Sequence, residues 1–203
     1  MITMFEKKTE LNDSKYCGKK WIKRKRGAKI VFIVVHYTGT PSNNCSAERA
    51  YKSILRSRRE ASTHFLVGND GILQILDEDK QAWHVGGESD AKKHKITCFN
   101  SNSIGVDIVE GKVNTKSGKA EDCDWYFSQN SISDAAELIA MLCVKYGISA
   151  ANVVRHYDVT GKQCPRPFCG YDKNTAMGDC GQNLWRAFIS RVEREIEKRI
   201  SEK

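Results

Sequence analysis

The segment "IVFIVVHY", Ile30–Tyr37, constrains the fold more than any other part of the chain. It is apolar at every position before the histidine, so both faces of a strand formed here need cover. That is the pattern of a strand buried in the middle of a sheet with helices packed on it. The run is far too short to span a bilayer. Phe32, Val34 and His36 share one face of the strand, and "TGTP" ends it immediately afterwards. An imidazole is thereby delivered to the exit of a central strand, where open α/β sheets place their sites. For any lone histidine, a core residue satisfied by one hydrogen bond is the plainer reading, so its partners matter.

The other elements follow the same logic. "SAERAYKSILRSRR" starts at Ser46, a good N-cap, and reads as a helix. "STHFLVG", the turn "NDG" and "ILQIL" form a hairpin, and "SIGVDIVE" is a further strand. In "SISDAAELIAMLCVKYG" the residues Ile132, Ala135, Ile139, Leu142 and Tyr146 fall on one helical face, with Gly147 as C-cap. "NVVRH" is a short strand, and residues 182–201 form a closing amphipathic helix. Alternation of strands and helices predicts an α/β fold: a single domain with a central mixed β-sheet flanked by helices. Residues 1–29 read as a basic arm carrying a short edge strand ("KKWIKRKRGAK" within it), and residues 30–203 as the domain proper.

The chain has 203 residues and a net charge of +8, which favours polyanionic partners: nucleic acid, an anionic membrane surface or a bacterial wall. Eight cysteines in this length do not make a disulfide scaffold. The first twenty residues contain no apolar stretch of the secretory kind, so synthesis in a reducing cytoplasm is expected, with cysteines as thiols or metal ligands. Cys169 and Cys180 are the first pair to check for a disulfide acquired later.

"VVRHYDVTGKQCPRPFC", Val153–Cys169, gathers His156, Lys162 and Cys164 on one short loop pinned by Gly161 and Pro165. Two imidazoles, His36 and His156, and one thiolate, Cys164, suit Zn²⁺, which takes nitrogen and sulfur ligands tetrahedrally. Three protein ligands leave the fourth position to water, as in catalytic zinc sites. Recruitment of Cys169 or Cys180 as a fourth ligand would make the site structural instead, although no CxxC pair is present.

The ordered motifs "VVHYTG", "ASTHFLVGNDG", "AWHVGG", "NSIGVDIV" and "RHYDVTGKQCPRPF" resemble those of the type 2 N-acetylmuramoyl-L-alanine amidases, which include many phage endolysin domains and are related to the peptidoglycan recognition proteins. The match spans roughly residues 30–170. It implies a mixed sheet flanked by helices, and zinc held by His36, His156 and Cys164. The implied reaction is hydrolysis of the amide between N-acetylmuramic acid and L-alanine of peptidoglycan. The resemblance also assigns Lys162 to oxyanion stabilisation and places Asp107 where related enzymes carry a glutamate base. Asp107 is one methylene shorter, and hydrogen bonding to a zinc-holding histidine is its alternative role. Thr63 stands where other relatives have a tyrosine and cannot replace it as an acid. Trp83, His84 and Thr63 are expected along the substrate groove. His64 is expected to orient a ligand or to pack beneath the site, Asp158 and Thr160 to brace the loop, and His94, in "SDAKKHKITCFNSN", to face solvent on a rim.

Two other classes fit parts of the sequence: a wall-binding protein without catalysis, against which Cys164 argues, and a basic nucleic-acid-binding protein. The C-terminal "RVEREIEKRISEK" alternates in sign and is a solvated helix face, so no nucleic-acid partner is expected. Membrane insertion is not expected either. A wall hydrolase made without a secretory signal fits an endolysin held in the cytoplasm until release, with a bacterial autolysin exported by another route as the alternative.

Overall fold

The computed structural model describes residues 6–7, 25–56, 61–119, 122, 124–169 and 178–202, without the side chains of Lys7 and residues 178–180. Most of the basic arm, the last three residues of the helix expected to reach Arg59 and the side chain of Cys180 therefore lie outside the described residues.

In chain order the elements are β1 (Glu6–Lys7), β2 (Phe32–Tyr37), α1 (Ala47–Arg56), β3 (Phe65–Gly68), β4 (Gly71–Gln74) and β5 (Ser103–Ile108). They continue with β6 (Gly111–Lys112), β7 (Trp125–Tyr126), α2 (Gln129–Tyr146), β8 (Val153–Arg155), α3 (His156–Thr160) and α4 (Gly178–Ser201). The main sheet has the order β1-β4-β3-β5-β2-β8. Only the β3–β4 hairpin is antiparallel; β5 and β8 run parallel to β2 on its two sides. This is the mixed α/β sheet that the alternating pattern predicts, with the apolar Ile30–Val35 run next to its middle.

Side-chain alternation sorts the sheet into two faces. Ile33, Val35, Phe65, Val67, Ile104, Val106 and Ile108 point to one face, where α2 and α4 cover them with Ala135, Ile139, Leu142, Phe188 and Val192. Fully burying one such aliphatic side chain stabilises the fold by about 1.5–3 kcal/mol, so this layer fixes the sheet against the two long helices. On the opposite face, Leu66 and Leu73 pack under Ala47 and Tyr51 of α1. Val34 and Val154 pack there against Val85, Cys98 and Val159. The polar residues His36, Gly105 and Asp107 also belong to this second face, and the functional site forms there.

Several boundaries differ from the sequence expectation; α4, for one, begins at Gly178 and not at residue 182. The strand read as "NVVRH" stops at Arg155, and His156 opens the short helix α3. The Asp158 side chain explains the stop, since it accepts from the Arg155 amide and pairs with the Arg155 guanidinium at 2.6 Å, which turns the chain into a helix. Helix α2 begins at Gln129, capped by Ser128, two residues before the expected start. It ends as read, with Gly147 in the left-handed region at φ 65°.

Helix α1 is capped from two directions. Ser46 Oγ accepts from the Arg49 amide at 3.2 Å, as a sequence N-cap should. Asp70, from the β3–β4 turn, accepts from the Ala47 amide at 2.6 Å and from the Ser46 hydroxyl at 2.5 Å. The turn approaches this closely because Gly68 has no side chain; a Cβ there would sit 2.7 Å from the Cys45 carbonyl oxygen. Burial pushes the Asp70 carboxyl up, but the donors of Ser46, Ala47 and Glu48 outweigh it and leave its pKa below the usual 3.8. The sign follows from linkage: a carboxyl held down in the fold stabilises above its unfolded pKa, and that contribution disappears as pH falls through the folded value. Asp70→Ala should therefore lose about 1 kcal/mol of stability at neutral pH. Urea denaturation should show the gap between parent and variant closing as pH falls from neutrality through the carboxylate range.

Candidate functional site

Three parallel strands deliver the site residues to one edge. His36 of β2 lies in register with Asp107 of β5, and β8 runs into His156. The loop after α3 folds back, with the Tyr157 amide donating to the Cys164 carbonyl oxygen at 2.9 Å, and this brings Cys164 to the same edge. One ligand atom from each of His36, His156 and Cys164 lies within 4.8 Å of the others, so the trio can hold a metal ion. Among the described residues this is the only such group of histidine, cysteine and carboxylate donors, and Cys169 is not part of it. Cys169 is a free buried thiol.

The hydrogen bonds behind His36 decide which of its nitrogens faces the trio. The Ser103 hydroxyl donates to the Phe99 carbonyl oxygen at 2.6 Å, so Ser103 Oγ is an acceptor toward His84 Nε2, 3.2 Å away. His84 Nε2 then carries the proton and Nδ1 is bare. His84 Nδ1 accepts from His36 Nε2–H at 2.9 Å, which leaves His36 Nδ1 without a proton, 3.6 Å from Cys164 Sγ. A lone pair aimed at the thiol and at His156 is what a metal ligand requires.

Gly105 makes room for this chain of contacts. A Cβ on it would meet Thr63 Oγ1 at 2.9 Å and His84 Cγ at 3.0 Å. Beneath, fully buried His64 accepts from the Gly105 amide at 2.9 Å, the packing role expected of it.

Electrostatics keeps the imidazoles neutral. Burial lowers the pKa of His36 and His84 well below the ordinary value, reinforced for His36 by His156, His84 and Lys162, and for His84 by His64, His156 and Arg26. Burial, with the charge of Lys162, brings His156 down to about 4. Burial pushes the Cys164 thiol upward, so it holds its proton until a cation displaces it. Asp107 is raised to about 7, first by burial and then by Glu110, against the lowering effects of Thr63 and Lys162. The Thr63 hydroxyl faces that carboxyl without a well-formed hydrogen bond.

A cleft of about 260 Å³ opens over these groups, lined among others by Thr63, Trp83, His84, Asp107 and Lys162. Thr63, Trp83 and His84 thus share the wall of this cleft, and His84 also stands directly behind His36. His94 departs from expectation: it is half-buried, its Nδ1 bonds the Cys98 carbonyl oxygen at 2.7 Å, and its ring stacks on Phe99. It braces the rim because the loop curls over Gly86, where a Cβ would sit 2.9 Å from His94 Nε2. Asp158 braces α3 through Arg155, whose guanidinium also donates to the Phe168 carbonyl oxygen and Gln182. Thr160 Oγ1 accepts from the Lys162 amide at 3.3 Å.

Sequence reasoning missed Glu110 and Arg26. Buried Glu110 accepts from the Thr38 and Thr40 amides, both at 2.8 Å, and from the Thr38 hydroxyl, fixing the loop after His36. Arg26, assigned from the sequence to the arm, donates to the carbonyl oxygens of Glu78, Lys80, Ser101 and Ser103. It ties down the start of β5, from which Ser103 reaches His84. Burial lowers its pKa to about 10. An acid at the end of a strand and an arginine in a basic run carry no sequence signal that separates them from surface charges.

Residues 26–167 match the N-acetylmuramoyl-L-alanine amidase family Amidase_2. The chain belongs to that family. It is 35% identical over 147 residues to the N-acetylmuramoyl-L-alanine amidase CwlL of Bacillus licheniformis, covering 70% of this chain and 37% of that protein. A probable N-acetylmuramoyl-L-alanine amidase of the same organism is 33% identical over 171 residues, covering 82% of this chain and 42% of the relative. The chain thus spans about two fifths of the length of these relatives. In fold it resembles a mutant endolysin from Bacillus subtilis, with a TM-score of 0.62 at 23% identity, covering 93% of this chain and 99% of the other. The structure of PlyL superposes with a TM-score of 0.63 at 21% identity, covering 93% and 96%. Among the described residues of this amidase-family chain, no helix is long and apolar enough to cross a membrane.

Two outcomes follow from the hydrogen-bond order and the protonation states. His84→Phe, which removes the acceptor for His36 Nε2–H, should weaken divalent-metal affinity about 10–100-fold in chelator competition, with Ser103→Ala smaller in the same direction. With the histidines already neutral and Cys164 still a thiol, metal binding should release one proton per site. Apparent affinity should accordingly rise about tenfold per pH unit from pH 6 to 8. Calorimetry in buffers of different ionisation enthalpy measures that proton.

Proposed function

We propose that this chain hydrolyses the amide between the lactyl group of N-acetylmuramic acid and L-alanine of peptidoglycan, with Zn²⁺ bound by His36, His156 and Cys164. The observation that carries this reading is the meeting of two imidazole nitrogens and one sulfur in one cleft with Asp107, a half-buried carboxyl whose pKa is raised to about 7. Two imidazole nitrogens and a thiolate match the preferences of zinc, and a fourth protein donor is missing from the group among the described residues. Bound zinc would supply Lewis-acid polarisation of the scissile carbonyl and would acidify water at that position.

The chain's own residues do the rest. Asp107 takes a proton from the attacking water and returns it to the leaving L-alanine nitrogen; a carboxyl titrating near 7 performs both transfers at physiological pH. Lys162, on the exposed rim of the cleft, offers a positive charge to the oxygen of the tetrahedral intermediate. Trp83 and Thr63 line the wall against which the muramyl peptide lies. His84 lines the same wall and orients His36. The biological role that fits these features is that of an endolysin, a cytoplasmic product reaching the wall on release. The +8 charge assists adhesion to the anionic wall.

Purified protein incubated with sacculi should generate new L-alanine amino termini and no new reducing sugar ends. The appearance of reducing ends alone would replace the amidase reading with a glycosidase. Asp107→Asn should reduce turnover about 10²–10⁴-fold and retain bound zinc, whereas Cys164→Ser should lose both metal and activity. Zinc content and amine release measured on the same preparations separate the two roles.

A further inference from the structure

A second hollow opens off the metal-binding cleft. Thr38, Thr40, Ala50 and Ser53 line both, so the two are continuous along the loop after β2 and the inner side of α1. The hollow measures about 320 Å³, and Cys45, Ala50 and Val109 supply its apolar lining. Arg49, Lys52 and Arg56 border it, spaced at i, i+3 and i+7 on one face of α1. Lys52 is paired with Glu48 at 3.3 Å. Arg49 and Arg56 have no carboxylate partner among the described residues. The one carboxylate lining the hollow, Glu110, has both oxygens engaged by Thr38 and Thr40. What remains is an apolar recess with hydroxyl groups and two guanidinium forks, the side chain best shaped to grip a carboxylate in two parallel hydrogen bonds.

A substrate spanning the scissile amide has two arms of different charge. The lactyl carboxyl of the sugar arm is consumed in the amide, whereas the stem peptide beyond L-alanine carries a free α-carboxylate on its acidic second residue unless that group is amidated. We propose that the hollow is the stem-peptide subsite and that Arg49 and Arg56 read this carboxylate, making the enzyme selective for stem peptides whose second residue is not amidated. The inference rests on the amidase reading and adds to it a direction for the substrate: peptide along α1, sugar toward the other end of the cleft.

The test uses two synthetic muramyl tripeptides that differ only in a free or an amidated α-carboxyl on the D-glutamyl residue. Release of the L-alanine amine is followed with the zinc-loaded protein. The parent should favour the free acid about tenfold in kcat/KM, the size of one charge-assisted hydrogen bond, with the difference in KM because the arginines touch no reacting atom. In Arg49→Gln/Arg56→Gln that ratio should fall to about one, and in the parent it should shrink as salt is raised. A ratio near one in the parent, or a ratio unchanged by the double substitution, overturns the subsite. If the parent cleaves neither peptide and releases no amine from sacculi, the amidase reading itself fails, a result distinct from equal cleavage of both.

Discussion

The parallel pairing of β2 with β5 on one side and β8 on the other is the constraint on which the site depends. Parallel strands share a direction, so their C-terminal ends fall on one edge of the sheet, and whatever each strand carries at its exit is gathered there. Here the exits carry His36, Asp107 and His156, with His36 and Asp107 in register. The apolar layer beneath β2, β5 and α2 holds that pairing with side chains that cannot leave the core cheaply. A one-residue slip of β2 would reverse its faces, sending His36 into the aliphatic layer and Val35 into the cleft.

The second layer of order is polar. Arg26 holds the carbonyl oxygens around Ser101 and Ser103, Ser103 sets the tautomer of His84, and His84 sets that of His36. Each group in this sequence is buried or half-buried, so a reversed hydrogen bond would leave a desolvated donor facing a donor, at a cost of about 1–3 kcal/mol. The His36 nitrogen that faces Cys164 is therefore left with a free lone pair by the fold itself. The same burial that keeps the histidines neutral also keeps Cys164 protonated and lifts Asp107 to about 7. One physical cause, removal of water from the sheet edge, thus keeps the imidazoles neutral, holds the thiol protonated and raises the carboxyl toward neutrality.

Around the site, contacts from distant loops fix its walls. Glu110 ties the loop after β2, and Asp70 ties the start of α1. Arg155 locks α3 to the Phe168 turn and to Gln182 of α4. These walls give the cleft its two branches, one over the metal donors and one along the basic side of α1.

Much of this was legible in the residues. The double-sided apolar run announces a central strand, the 3.6-residue pattern and Gly147 outline α2, and the ordered motifs mark His36, His156, Cys164, Asp107 and Lys162 as a group. Hydrophobic periodicity and turn chemistry are local, so the chain states them by itself. Nothing local says that Arg26 differs from the other cations of its run, that Ser103 and His84 choose the proton position on His36, or that His94 turns inward to stack on Phe99. Hydrogen-bond direction, burial and the pKa of Asp107 depend on which groups approach from far along the chain and on how little water remains between them. Residue types and their order determined the fold class and the candidate ligands; only the packed tertiary structure decided which nitrogen of His36 faces Cys164, which carboxyl is raised toward neutrality and where charge is left unpaired beside the cleft.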